Sequence, residues 1–138
     1  MQEYHFTFQS EDFTAGLVLG GEWTLYEFAE FLIKTVGFDF DHAFEFCDNY
    51  KNPHKSKERY TLFADLDDCE EADPGVKDTF VSQVFAVGKR MAFLFDYGDD
   101  WRFAVTCTAV RESMGKRRSR KVVMTLGKRP EQYPDMEK

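Results

Sequence analysis

The sequence predicts an α+β fold: a predominantly antiparallel sheet covered by an amphipathic helix in the N-terminal half and by a shorter second helix. Three observations carry this. Apolar residues alternate with polar ones from Tyr4 to Phe8 and again from Phe13 to Leu19, the two-residue period of strands with one buried face. Leu25, Phe28, Ala29, Leu32, Ile33 and Val36 then recur at spacings of three and four, the stripe of a helix lying on a core. Two aromatic-rich runs, Met91 to Tyr97 and Trp101 to Val105, flank Gly98-Asp99-Asp100, the strongest hairpin signal in the chain.

The elements follow in order. Tyr4-His5-Phe6-Thr7-Phe8 is a strand with three aromatics on one face, and Ser10-Glu11-Asp12 turns the chain into a return strand that ends at Gly20-Gly21. The helix covers about residues 24–36. Thr24 and Glu27 have capping-box spacing, Trp23 is placed to pack back on Phe28, and Gly37 tolerates the left-handed conformation that ends a helix. Ala43 to Cys47 reads as a strand, residues 48–59 as a loop and Tyr60 to Phe63 as a short strand. The six carboxylates of 65–73 mark a solvated loop. Pro74 opens a helical turn with Val76, Phe80 and Val84 spaced by four, although Val81, Phe85 and Val87 also suit a strand. After the hairpin and a basic turn, Val122 to Leu126 forms a last strand, and an irregular tail begins at about residue 127. A single domain over 1–138 is expected.

Composition bounds the functional classes. The 138 residues are 43% hydrophobic and include 15 Phe, enough for a sizeable core, and the formal charge is −7 at pH 7. That balance excludes a uniformly basic nucleic-acid binder but permits a local basic patch. Nothing in the first twenty residues resembles a secretory signal or a membrane span, so a cytoplasmic protein without membrane contact is expected. Cys47, Cys69 and Cys107 form no CxxC pair and read as buried free thiols.

Two constellations carry candidate chemistry. The first joins Asp39, Asp41 and His42, after the helix, to Asp96, Asp99, Asp100 and Trp101 at the hairpin. The ordinary reading is structural: these carboxylates accept backbone amides around tight turns, and His42 is an orienting, partly buried side chain. If the loops meet, they form a polar cleft. Asp96, Asp99 and His42 then supply oxygen and nitrogen ligands for a divalent metal, or paired carboxylates share general acid and base roles. Trp101, Phe103 and Tyr97 read first as core and second as stacking surfaces. The second constellation is Lys116-Arg117-Arg118-Ser119-Arg120-Lys121, a solvated loop in the ordinary reading and a phosphate contact through Lys116, Arg117, Arg118, Arg120 and Lys121 in the functional one. His5 is expected on the polar face of the first strand and His54 in a loop. No P-loop, dinucleotide fingerprint or nucleophile elbow is present.

Trp23-Thr24-Leu25, Gly37-Phe38-Asp39 with Asp41-His42 and Phe46, Phe95 to Trp101, and the ending Gly127 to Tyr133 occur in the order seen in the plasmid pRiA4b ORF-3-like family, which the chain resembles over roughly residues 4–133. The resemblance implies a helix-covered antiparallel sheet and, because some relatives are encoded near mobile elements, an association with nucleic-acid biology; it does not settle an activity. The family commonly has His two residues after the hairpin Trp. Here that position is Phe103, which weakens any mechanism needing a histidine pair, and the tail is shorter than in many members.

Two functions compete. The leading one is a noncatalytic binding or interaction domain whose partner is another protein or a second copy, with nucleic acid kept open by the basic block. The other is metal-dependent hydrolysis of a phosphate-containing substrate, with Asp96 and Asp99 as ligands, His42 as ligand or base, Asp41 or Asp100 in support and the basic block neutralising substrate charge. Both require the two acidic loops to converge.

Overall fold

The computed structural model describes residues 2–61, 75–96, 100–112 and 119–132. Seven strands form one sheet: β1 (Gln2–Gln9), β2 (Phe13–Gly20), β3 (Phe44–Cys47), β4 (Arg59–Thr61), β5 (Arg90–Phe95), β6 (Trp101–Glu112) and β7 (Arg120–Gly127). Their order is β4-β3-β5-β6-β1-β2-β7, and each neighbouring pair is antiparallel. The two-residue period does what it predicts. Phe6 faces Leu17 and Phe8 faces Ala15 across β1 and β2, so the apolar halves of both strands share one buried face.

Helix α1 (Leu25–Val36) lies on that face. Thr24 accepts the Glu27 amide while the Glu27 carboxylate accepts the Thr24 amide, the capping box its spacing predicts. Gly37 ends the helix at φ 83°, a conformation that costs a side-chain-bearing residue about 1–2 kcal/mol. Phe28 anchors the packing, its ring 4.8 Å from Phe6, 5.8 Å from Phe46 and 5.9 Å from Phe85. Truncating so enclosed a ring costs about 3–5 kcal/mol.

The second helix is shorter than the spacing of Val76, Phe80 and Val84 predicts. Only α2 (Val81–Val84) is helical; Val76 and Val84 are buried but Phe80 is exposed. Tertiary pairing overrides the period here, because Phe80 bridges Thr24, and the Val81 amide donates to the Trp23 carbonyl. The segment is thus spent on bracing the start of α1. Cys47, Ala92 and Leu94 form a small second core, so β5 is buried on both faces rather than one. Cys47 and Cys107 are buried free thiols, whereas Cys69 and the acidic run 65–73 lie outside the described residues. His54 falls in a single 3-10 turn, Pro53–Lys55. Among the described residues no helix is long and apolar enough to cross a membrane.

Candidate functional site

An all-antiparallel sheet sends its connections to two ends, and the register fixes which connections share an end. Gln9 pairs with Ala104, Phe13 with Gly127, Phe44 with Phe95 and Phe95 with Trp101. Segments 10–12, 37–43 and 128–132, with Asp96 and Asp100, therefore leave the sheet on the same side, and the acidic loop after α1 meets the hairpin bend.

The meeting point is His42. Its Nε2 lies 3.3 Å from the Asp96 carboxylate and 3.5 Å from that of Asp41. Two carboxylates on one nitrogen favour the tautomer with its proton there and orient the ring, which stands edge-on to Phe95 at 5.9 Å. Asp96 itself is buried and sits at φ 63°, with Asp100 at φ 54°. Aspartate is among the few residues that tolerate this region, which explains why carboxylates rather than larger side chains shape the bend. The Asp96 amide donates to the Ala43 carbonyl at 3.0 Å and the Asp100 amide closes the bend onto the Asp96 carbonyl at 2.7 Å.

Asp39 joins by a different route. Its amide donates to Gln132 Oε1 at 2.6 Å, while Gln132 Nε2 donates to the Asp39 carbonyl and to the Asp41 carboxylate, each at 3.1 Å. Gln132 is buried, so the segment after β7 is sewn onto the loop. Arg129 works beside it, donating from Nε to the Thr35 carbonyl in the last turn of α1 and lying 5.1 Å over the Phe13 ring.

Asp100 and Trp101 face a separate space. A cleft of about 550 Å³ opens between the β1–β2 turn, the hairpin and the segment after β7, walled by Tyr50, Asp100, Trp101, Arg102 and Arg129 among others. Arg102 is fixed across it, donating to the Asp100 carboxylate at 2.9 Å and to the Tyr50 carbonyl at 2.9 Å. Trp101 rests on Phe38, ring centroids 4.8 Å apart, and its buried Nε1 has no acceptor among the described residues. The predicted constellation thus divides into a His42–Asp41–Asp96 cluster held by Gln132 and a neighbouring cleft that takes in Asp100 and Trp101. Asp99 lies outside the described residues, among which no group of three or more His, Cys, Asp or Glu side chains is placed to hold a metal.

The described part of the basic block is elsewhere. Arg120 pairs with Leu19 at the far end of β2, about 25 Å from the cleft at ~3.4 Å per strand residue. Its guanidinium lies 4.5 Å over the Trp23 ring and donates to the Glu27 carbonyl at 3.1 Å, so it braces the start of α1. Lys121 is exposed; Lys116, Arg117 and Arg118 lie outside the described residues. His5 occupies the face of β1 away from α1, as expected, with its buried Nε2 lacking a partner among the described residues. Sequence reasoning overlooked Tyr50, Arg102, Arg129 and Gln132. The last two carried one signal, their place in the Gly127 to Tyr133 ending that supports the resemblance.

The model of the family described as plasmid pRiA4b ORF-3-like protein matches residues 16–136, well over half the chain. Among solved structures the chain is similar to a protein of unknown function, MM3350, from Methanosarcina mazei Go1, at 14% identity over 87% of this chain and 68% of that one, with a TM-score of 0.64. That is a likeness of fold alone. No curated protein matches.

Proposed function

The chain belongs to the plasmid pRiA4b ORF-3-like family, and from that premise and the geometry of the cleft we propose that it is a noncatalytic binding domain, associated with mobile-element biology, that takes its partner at the rim formed by segments 10–12, 100–102 and 128–131. One observation carries the reading: a cleft of about 550 Å³, within the size range of ligand sites, whose wall brings a tryptophan together with fixed charges of both signs. Arg102 and Asp100 are locked to each other and to the backbone, so they present charge without having to order on binding. The His42 cluster is the buttress behind this rim. It holds the loop after α1 against the bend that carries Asp100 and Trp101.

The second reading, metal-assisted hydrolysis, draws on the contact of His42 with the buried Asp96 carboxylate. Its supply of positive charge is the weak point, because Arg120 and Lys121 stand one strand length away.

A fragment screen against isotopically labelled protein tests both. The binding reading expects amide shifts clustered on 100–102 and 128–131, lost in Arg102→Gln and kept in His42→Gln. Fragments that map elsewhere, or bind Arg102→Gln equally, sink it. Saturable Mg²⁺, Mn²⁺ or Zn²⁺ binding that vanishes in Asp96→Asn and His42→Gln would put the hydrolase reading in its place.

A further inference from the structure

Strand β7 closes one side of the sheet, and among the described residues nothing pairs with its outer edge. Its composition is unusual for such a position. Val122, Val123, Met124 and Leu126 are 41, 53, 42 and 63% exposed, where sheet edges ordinarily carry charge or proline through their centre. Gly16 faces Met124 and Leu17 faces Val122, so Val123 is a bulge residue. With Met124 it borders a depression of about 220 Å³ over Thr14 and Gly16. Gly16 makes this possible, since a Cβ there would stand 2.9 Å from Met124 Cγ. The charges sit at the two ends. Lys121 precedes the apolar run, Lys128 and Arg129 follow it, and the sequence has no Asp or Glu between Glu112 and Glu131 in a chain of net charge −7.

We propose that the outer edge of β7 receives an extended peptide segment of another protein by strand addition, apolar at its centre and carrying carboxylates at both ends. Strand addition supplies main-chain hydrogen bonds to the free edge and lets alternate side chains meet the exposed apolar ones. Charge selects the occupant. A second copy laid antiparallel along β7 would bring Lys121 of each against Lys128 of the other, whereas an acidic-ended peptide is complementary at both ends. A nucleic-acid strand would leave four exposed apolar side chains without matching contacts.

The test uses the full chain and a synthetic decapeptide with a Thr-Val-Thr-Val-Thr-Val centre and two glutamates at each end. The expected result is saturable binding with amide shifts and exchange protection confined to 120–127 and the β2 residues beside it. Binding should fall about tenfold when the flanking glutamates become lysines, the sum of several exposed charge pairs, and by a similar factor in Leu126→Glu or Val123→Glu, both exposed positions. Equal binding of the two peptides, shifts mapping away from β7, or no binding at millimolar peptide overturns the proposal. So does concentration-dependent dimerisation lost in Leu126→Glu, or displacement of the peptide by a single-stranded oligonucleotide.

Discussion

Gln132 is the side chain on which the loop after α1 depends, and Gln132→Ala measures how much. The substitution deletes the acceptor for the Asp39 amide and the donor to the Asp39 carbonyl and Asp41 carboxylate. A neutral hydrogen bond contributes about 0.5–1.5 kcal/mol net and one to a charged group about 1.5–3. Two of the first and one of the second set a ceiling of about 6 kcal/mol. Gln132 lies beyond the last strand, so the segment can detach locally and leave the sheet intact, and the global loss should be nearer 2 kcal/mol. Urea unfolding followed by tryptophan fluorescence reads the global value, and hydrogen exchange at the Asp39 amide reads the local one. Gln132→Glu keeps the shape but sets a carboxylate against Asp41. It should cost more than the alanine variant at neutral pH, and the difference should narrow as pH falls below about 4.3, where the new group takes a proton. A loss under about 0.5 kcal/mol in Gln132→Ala with unchanged exchange at Asp39 would show that the docked segment does not hold the loop.

Further expectations follow from the same geometry. Gly127 and Gly88 both adopt positive φ, 86° and 90°, but a Cβ at Gly127 would stand 1.9 Å from the Asp12 carbonyl oxygen whereas one at Gly88 meets nothing within 4 Å. Gly88→Ala should therefore cost about 1–2 kcal/mol of backbone strain, while Gly127→Ala costs clearly more and shifts the resonances of 10–12; equal losses in urea unfolding would contradict this. Arg120→Met removes the guanidinium from over Trp23 and from the Glu27 carbonyl, a loss of about 1–2 kcal/mol measurable by thermal unfolding. Burial pushes the Cys47 and Cys107 thiols and the Tyr4 phenol up, and burial together with the neighbouring Glu58 carboxylate pushes Tyr60 up. The folded state keeps these protons where the unfolded chain releases them. Their stabilisation is whole below the ordinary thiol value of 9.0 and declines as pH rises through the folded values, so urea midpoints should fall progressively above pH 9. A flat stability profile from pH 8 to 11 would refute it.

What the sequence revealed was local. The cap at Thr24, the stripe of α1, the terminating Gly37 and the β5–β6 hairpin each rest on residues within a few positions of one another, and each forms as read. Val76, Phe80 and Val84 misled because their spacing satisfies a helix while Phe80 finds its partner at Thr24, 56 positions away. The site divides along the same line. Its acidic residues were visible as turn formers beside a histidine, yet the contact of His42 with Asp96 depends on the pairing of β3 with β5. Arg129 and Gln132 are single polar residues in a stretch without periodicity, and Arg102 sits in a strand run whose pattern gives no sign of its contact with Tyr50. Their roles exist only once three loops share an end.

Strand register also separates the charges in a way that bears on function. Helix α1 carries the chain back across the sheet, so Asp41, Asp96 and Asp100 gather at the end where β1 meets β2, while Arg120 and Lys121 lie at the other. A reaction on a phosphate substrate held at this end would have to neutralise its charge locally, and among the described residues the cations lining the cleft are Arg102, Lys128 and Arg129. Arg102 is committed to Asp100 and two backbone carbonyls, and Arg129 to the end of α1. Among the described residues that line the cleft, Lys128 remains, one cation against Glu11, Asp12, Asp100 and Glu131. The balance at this end suits a partner carrying charges of both signs better than a polyanion, which is the physical ground for preferring recognition to phosphate chemistry there.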